Sequence, residues 1–338
     1  MRALVTGGGG FLGQAIVRSL LNHGASVRSF SRHEHAALNQ FGAEQCHGDL
    51  ADADAVKDAI AGCDVVFHVA AKAGIWGPYR EYYRTNVLGT ENVVAACRLH
   101  RVTRLIYTSS PSVIFNGRDL AGVNESVPYP KRFEAPYPET KAMAEQCIRK
   151  ANDSQLATVA LRPHLIWGPG DHHVLPRLVA RAKAGRLRRI GQQRKLIDTT
   201  YIDNAAEAHL LAAQRLAPGS PIAGNAYFIS QGEPRETWQM INDLLVAADV
   251  PPVQRSIPTL IAFLLAGFFE AAYHLAGRAD EPRLTRFLVR EMCASHWFDI
   301  SAARRDLGYA PRITIAEGLA RLRGAYVATE RRPSRWIP

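Results

Sequence analysis

Over roughly the first half of the chain, short runs of Val, Ile, Leu and Phe alternate with longer stretches whose apolar residues recur at helical spacing. The runs at 2–6, 26–30, 64–69, 104–108 and 158–161 read as strands, and the patterns at 11–23, 54–61 and 81–100 as amphipathic helices. Alternation of this kind builds a parallel sheet with helices on both faces, so the expected class is α/β with a doubly wound sheet. Beyond Gly168 the pattern loosens and is interrupted at Pro251, Pro252, Pro258 and Pro311. The expected division is a sheet domain over 1–168, with strand and helix returning to it up to about residue 230, and a smaller C-terminal region over 169–338.

The stretch 258–276 is the most apolar in the chain, yet its longest run free of polar residues is 260–269. A membrane span needs about 20 such residues, so a crossing helix is not expected. A core helix, a lid over a greasy substrate and an amphipathic anchor at a membrane surface are the readings that stay open.

Composition narrows the class. Apolar residues make up 47% and charged residues 21% of the 338, which excludes a disordered chain and suffices for a sizeable core. The net charge of +10 is concentrated in 177–195, which holds Arg177, Arg181, Lys183, Arg186, Arg188, Arg189, Arg194 and Lys195 and no acid. No aromatics interleave with these cations, so nucleic acid is not the expected partner. A solvated face, or attraction to anionic substrates or lipids, fits better. The scattered Cys46, Cys63, Cys97, Cys147 and Cys293 form no CxxC pair, which argues against a disulfide framework or a zinc site. Met1–Thr6 runs straight into four glycines with no apolar signal core, so a cytoplasmic location is expected, with membrane association left open.

The first candidate chemistry lies where the first strand meets the first helix. Gly7, Gly10 and Gly13, spaced three apart, let the chain turn tightly and let a pyrophosphate approach the backbone, while Phe11 and Leu12 open a helix whose free N–H groups favour phosphate. That is the signature of a dinucleotide-binding Rossmann fold, with the substrate-binding part downstream. The second constellation is Tyr137 and Lys141, four apart and therefore on one helix face. An adjacent ammonium lowers a phenol's pKa and makes it a usable proton donor and acceptor. Ser109 and Ser110 close a strand earlier in the chain, where a hydroxyl can polarise a reacting carbonyl. Asp171-His172-His173 and His33-Glu34-His35 lack metal-ligand spacing, and no metal is expected.

These motifs come with others: Asp49-Leu50, His68-Val69-Ala70-Ala71, Asn86-Val87-Leu88-Gly89-Thr90 and Arg162-Pro163, followed by Trp167-Gly168-Pro169. In order and spacing the chain resembles the extended short-chain dehydrogenase/reductases, and within them the 3β-hydroxysteroid dehydrogenase branch. The resemblance implies an NAD(P)-dependent oxidoreductase acting on CH–OH groups, with Tyr137 as proton donor and Lys141 tuning it and holding the nicotinamide ribose. It further implies that Ser110 polarises the carbonyl, with Ser109 as neighbour or substitute, and that Asn86 supports the active-site helix. Asp49 and Leu50 would meet the adenine, Ala70 and Ala71 would line the cofactor cleft, and Pro163 would pack beside the nicotinamide. The substrate implied is a hydrophobic 2-alkyl carboxylic acid with a 3-oxo or 3-hydroxy group, foremost a 2-alkyl-3-oxoalkanoate. A sterol-4-carboxylate or 3β-hydroxysteroid is the alternative, and a sugar nucleotide undergoing epimerisation a further one. A homodimer or an enzyme complex stays open.

In this fold an acid at the end of the second strand selects NAD, and an Arg nearby accommodates the 2′-phosphate of NADP. Ser31 stands at the acid's position with Arg32 beside it, so NADP is the expected cofactor. Glu34, two residues beyond Arg32, keeps NAD open as the second choice.

Overall fold

The computed structural model of the chain describes residues 1–330; residues 331–338 of the expected C-terminal region lie outside the described residues. Seven parallel strands form the central sheet: β1 (Arg2–Thr6), β2 (Ser26–Ser31), β3 (Glu44–His47), β4 (Val65–His68), β5 (Arg104–Thr108), β6 (Ala157–Pro163) and β7 (Ala226–Ile229). Their order is β7-β6-β5-β4-β1-β2-β3, so the strand sequence reverses beside β1 and opens a crevice there. Every residue of β4, β6 and β7 is buried, as a sheet covered on both faces requires. Helix Phe11–Asn22 packs on one face through Leu12, Ala15, Ile16 and Leu20. Helix Gly89–Leu99 packs on the other through Val93, Ala96 and Cys97.

The helix expected over 81–100 is three segments in series, Tyr79–Tyr82, a π-helical Tyr83–Leu88 and Gly89–Leu99. Such wide turns re-aim a side chain within an otherwise continuous helix, and here the side chain is that of Asn86.

A second sheet of four strands joins Arg235–Glu236, Leu196–Ile197, His296–Phe298 and Leu120–Val123 beyond the carboxyl ends of the large one. Helices Thr259–Leu275 and Arg286–Met292 pack together through Ala262, Ala266 and Val289. The apolar stretch at 258–276 is therefore not a core helix: Ala262 and Ala266 are its only fully buried residues, while Leu260, Leu264 and Phe268 face solvent. No helix among the described residues is long and apolar enough to cross a membrane.

Candidate functional site

The glycine turn follows β1 directly. Gly7 has φ +69°, and a Cβ there would come within 2.9 Å of Ala70 Cα, so glycine is required on two counts. A Cβ on Gly13 would strike the Gly7 carbonyl, which is how helix Phe11–Asn22 comes to sit so close to the loop. Gly10 caps that helix without any side-chain hydrogen bond, leaving the amides of its first turn to the crevice. This cradle fits a dinucleotide: it is a concavity that any larger side chain would fill, facing an uncapped helix N-terminus.

Hydrogen bonds with one consistent direction fasten the cradle to the next motif. The Thr6 hydroxyl accepts from Val69 N and Ala70 N, both at 3.1 Å, and so donates to His68 Nδ1 at 2.8 Å. Thr90 donates to the Asn86 carbonyl (2.6 Å) and accepts from His68 Nε2 (2.9 Å). His68 is thus the Nε2–H tautomer, and burial, aided by Lys141, pushes its pKa down to about 3, which keeps it neutral. Ala71 follows directly and, like Ala70, is half-buried at the carboxyl end of β4.

Leu50 is buried and its carbonyl accepts from Asn92, whereas Asp49 pairs with Arg84 at 3.2 Å. At the end of β2, the Ser31 hydroxyl donates to the His33 carbonyl, and Arg32 is exposed with no acidic partner among the described residues. Glu34 accepts from Asn39 at 2.7 Å. The His35 ring lies over Gly9, and its main chain is held on both sides by the Gln45 amide.

Helix Pro136–Lys150 carries Tyr137 and Lys141 toward the end of β5. Lys141 is buried, donates to the Thr108 carbonyl at 2.6 Å and stands 4.1 Å from the centre of the Tyr107 ring. Ser110 accepts from both Ser112 N (3.2 Å) and Ser112 Oγ (3.0 Å). Its own proton is therefore free for the side-chain hydrogen bond it makes with Tyr137. Asn86 accepts from Lys72 N and donates to the Lys72 carbonyl and to Thr140 Oγ1, tying the π segment to the helix between Tyr137 and Lys141. Pro163, buried at the end of β6, pairs with Ile229.

Ser109 turns elsewhere. Its hydroxyl donates to Glu145 at 2.5 Å, and Glu145 also accepts from Tyr129 and from Arg162 Nε and Nη2. This buried cluster locks helix Pro136–Lys150 onto β6, so Ser109 does not share the Ser110–Tyr137 constellation.

Electrostatics here differ from the expectation of an ammonium-lowered phenol. Burial pushes Tyr137 up to about 12 against the opposing hydrogen bond from Ser110, with Glu291 adding to the rise. Burial also pushes Lys141 down to about 7, with Glu145 opposing. Lys141 is fully buried and Tyr137 half-buried, and for each the loss of hydration is the largest influence on its pKa. Tyr137 is therefore protonated at neutral pH, the state a proton donor needs. Glu291, which sequence reasoning missed, is carried up to about 7 by burial. It comes from helix Arg286–Met292, far along the chain, and no local motif marks it.

Beside Pro136 opens a cavity of about 650 Å³ walled by Trp76, Tyr273, His274, Phe287, Arg286 and Arg290, among others. Arg290 pairs with Glu134 and Arg286 with Glu270. Crevice, cradle and phenol–lysine pair together define an NAD(P)-dependent oxidoreductase; a bound nicotinamide would supply the hydride, and this chain the proton and the positioning. The chain belongs to the 3-beta hydroxysteroid dehydrogenase/isomerase family, whose model matches residues 4–258. It is 50% identical over 330 residues to the 2-alkyl-3-oxoalkanoate reductase of Stenotrophomonas maltophilia (strain K279a), covering 97% of this chain and 100% of that one. The enzyme of the same name from Shewanella oneidensis is 46% identical, over 96% of this chain and 86% of that one. Among solved structures, that of gox2253 superposes with a TM-score of 0.77 at 26% identity, covering 97% of this chain and 98% of the other.

Proposed function

We propose that this chain reduces the ketone of a 2-alkyl-3-oxoalkanoate to the 3-hydroxy acid, with NADPH as the preferred reductant. The observation that carries the substrate class is the 50% identity, end to end, with a reductase named for that substrate. The cavity supports it: its aromatic walls of Trp76, Tyr273 and Phe287 suit an alkyl chain, while its cations Arg286 and Arg290 are already paired with Glu270 and Glu134. In the reduction, Ser110 and Tyr137 both hydrogen-bond the carbonyl oxygen. As hydride adds to the carbon, Tyr137 gives its proton to that oxygen, so C=O becomes CH–OH and the phenolate left behind is reprotonated from solvent. Lys141, held by the Thr108 carbonyl, is assigned the nicotinamide ribose in this reading.

The NADP preference rests on Arg32, exposed at the end of β2 with no acidic partner among the described residues, while Glu34 is engaged by Asn39. An unpaired guanidinium can grip a 2′-phosphate with charge-assisted hydrogen bonds. An NADPH-oxidation assay across 2-alkyl-3-oxo acids, sterol carboxylates and UDP-sugars tests the substrate class. Turnover confined to the first group is expected, and turnover confined to either of the others refutes it.

A further inference from the structure

Helix Thr259–Leu275 has three distinct sides. Ala262 and Ala266 are buried against Ile190 and Val289. Glu270, Tyr273 and His274 line the cavity. The remaining side is an apolar stripe open to water: Leu260 is 70% exposed, Leu264 66%, Phe268 67% and Leu275 91%, with Ile261 and Leu265 between them. An uninterrupted row of large apolar side chains in water is costly and marks a surface that something covers. The charge beside it says what. Strand Ser256–Ile257, which leads into the helix, pairs with Arg189–Ile190, and Arg189 N donates to the Arg255 carbonyl. That pairing brings the backbone of Arg188 and Arg255 close to where the helix begins, with Arg186 two residues before Arg188; none of the three has an acidic partner among the described residues, and Arg188 donates only to the Gly185 and Leu187 carbonyls. Apolar side chains flanked by unpaired cations match an anionic bilayer, where the former enter the acyl boundary and the latter meet headgroups.

We propose that the outward stripe of helix Thr259–Leu275 docks this chain on an anionic lipid surface, and that an alkyl substrate passes from the bilayer into the cavity past Leu275. Leu275 lies between the cavity-lining His274 and Gly277, so the stripe ends at the cavity's rim. The inference rests on the substrate reading above only for what passes through; the docking itself does not depend on it.

Sedimentation with phosphatidylglycerol-containing vesicles at low salt, against phosphatidylcholine alone, tests the docking without substrate. The wild type binds the anionic vesicles, and the Leu264→Ser/Phe268→Ser double variant binds them at least tenfold more weakly. The Arg186→Gln/Arg255→Gln double variant loses about 30-fold, since each cation near an anionic surface is worth about fivefold. Both variants keep the wild-type melting temperature and turnover of a water-soluble short-chain substrate, but lose turnover of a long-chain substrate presented in vesicles. Wild type that ignores anionic vesicles, or a Leu264→Ser/Phe268→Ser variant that binds them as well, overturns the proposal. So does a lipid-independent dimer that the same variant converts to monomer, which would assign the stripe to a second copy of this chain. Absence of short-chain turnover in the wild type would count against the substrate reading alone.

Discussion

Replacing Glu145 with Ala should destabilise the protein far more than removing a surface acid, and should misplace the catalytic helix as it does so. The Glu145 and Arg162 side chains are 0% and 2% exposed, and the carboxylate accepts from Arg162 twice, from Ser109 and from Tyr129. Taking away one partner of a buried ion pair leaves an uncompensated charge and typically costs about 3–5 kcal/mol. Arg162 retains the faces of Phe228 (5.2 Å) and Tyr129 (5.9 Å), so the lower end, about 3 kcal/mol, applies. Equilibrium urea unfolding measures the loss, and kcat should fall with it, because Glu145 fixes the rotation of the helix that presents Tyr137 and Lys141. The pH dependence has a definite sign. The Arg162 guanidinium and the two hydroxyls hold Glu145 below the ordinary carboxylate range despite its burial. Its contribution is therefore complete above the unfolded-state carboxyl pKa and is lost as pH falls through the lower native value. The wild-type advantage over Glu145→Ala should shrink in acid. The Glu145→Leu/Arg162→Leu double variant should recover part of the lost stability by removing the stranded cation. A loss below about 1 kcal/mol for Glu145→Ala at neutral pH would refute this reasoning.

Arg32→Ala should weaken NADPH by about 10–100-fold, the range for hydrogen bonds to a charged group, and leave NADH nearly unchanged; fluorescence titration with both cofactors checks it, and equal losses refute it. Gly13→Ala should weaken either cofactor at least tenfold, because its Cβ would lie 2.8 Å from the Gly7 carbonyl carbon and push the helix off the loop; isothermal titration reads the change. For ketone reduction, kcat/KM should fall as pH rises through about 7, where buried Lys141 gives up its proton. Glu291 also titrates near 7, so the two must be separated: Lys141→Arg should flatten that limb of the profile and Glu291→Gln should leave it.

What could be read from the chain, and what could not, follows from the range of the forces involved. β1 and β5 are short, apolar and bounded by turn residues, and their predicted limits coincide with the observed ones. β3, Glu44-Gln45-Cys46-His47, is a half-exposed edge strand whose polar residues carry no hydrophobic signal, and it went unrecognised. β7 is apolar but reaches the sheet only after the long excursion that builds the second sheet, so its partner β6 is not a neighbour in sequence. The glycine turn and the Tyr137–Lys141 pair are local patterns and were visible. The Glu145 cluster, the cavity wall and Glu291 were not, because each is assembled from elements far apart in the chain and depends on burial. The same limit explains the pKa disagreement: spacing places phenol and ammonium on one helix face, but only packing reveals how far each is withdrawn from water. The apolar stretch was legible as such, while its three-sided role in the fold was not.

The most direct test of the account is Tyr137→Phe, assayed with NADPH and a 2-alkyl-3-oxo acid alongside NADPH titration of the same preparation. Removing a general acid typically lowers the rate by about 10²–10⁴-fold. The account predicts a loss of that size in kcat with NADPH affinity within about twofold of wild type, since only the proton donor and its bond with Ser110 disappear. A variant that keeps more than about a tenth of wild-type kcat while binding NADPH normally would contradict it.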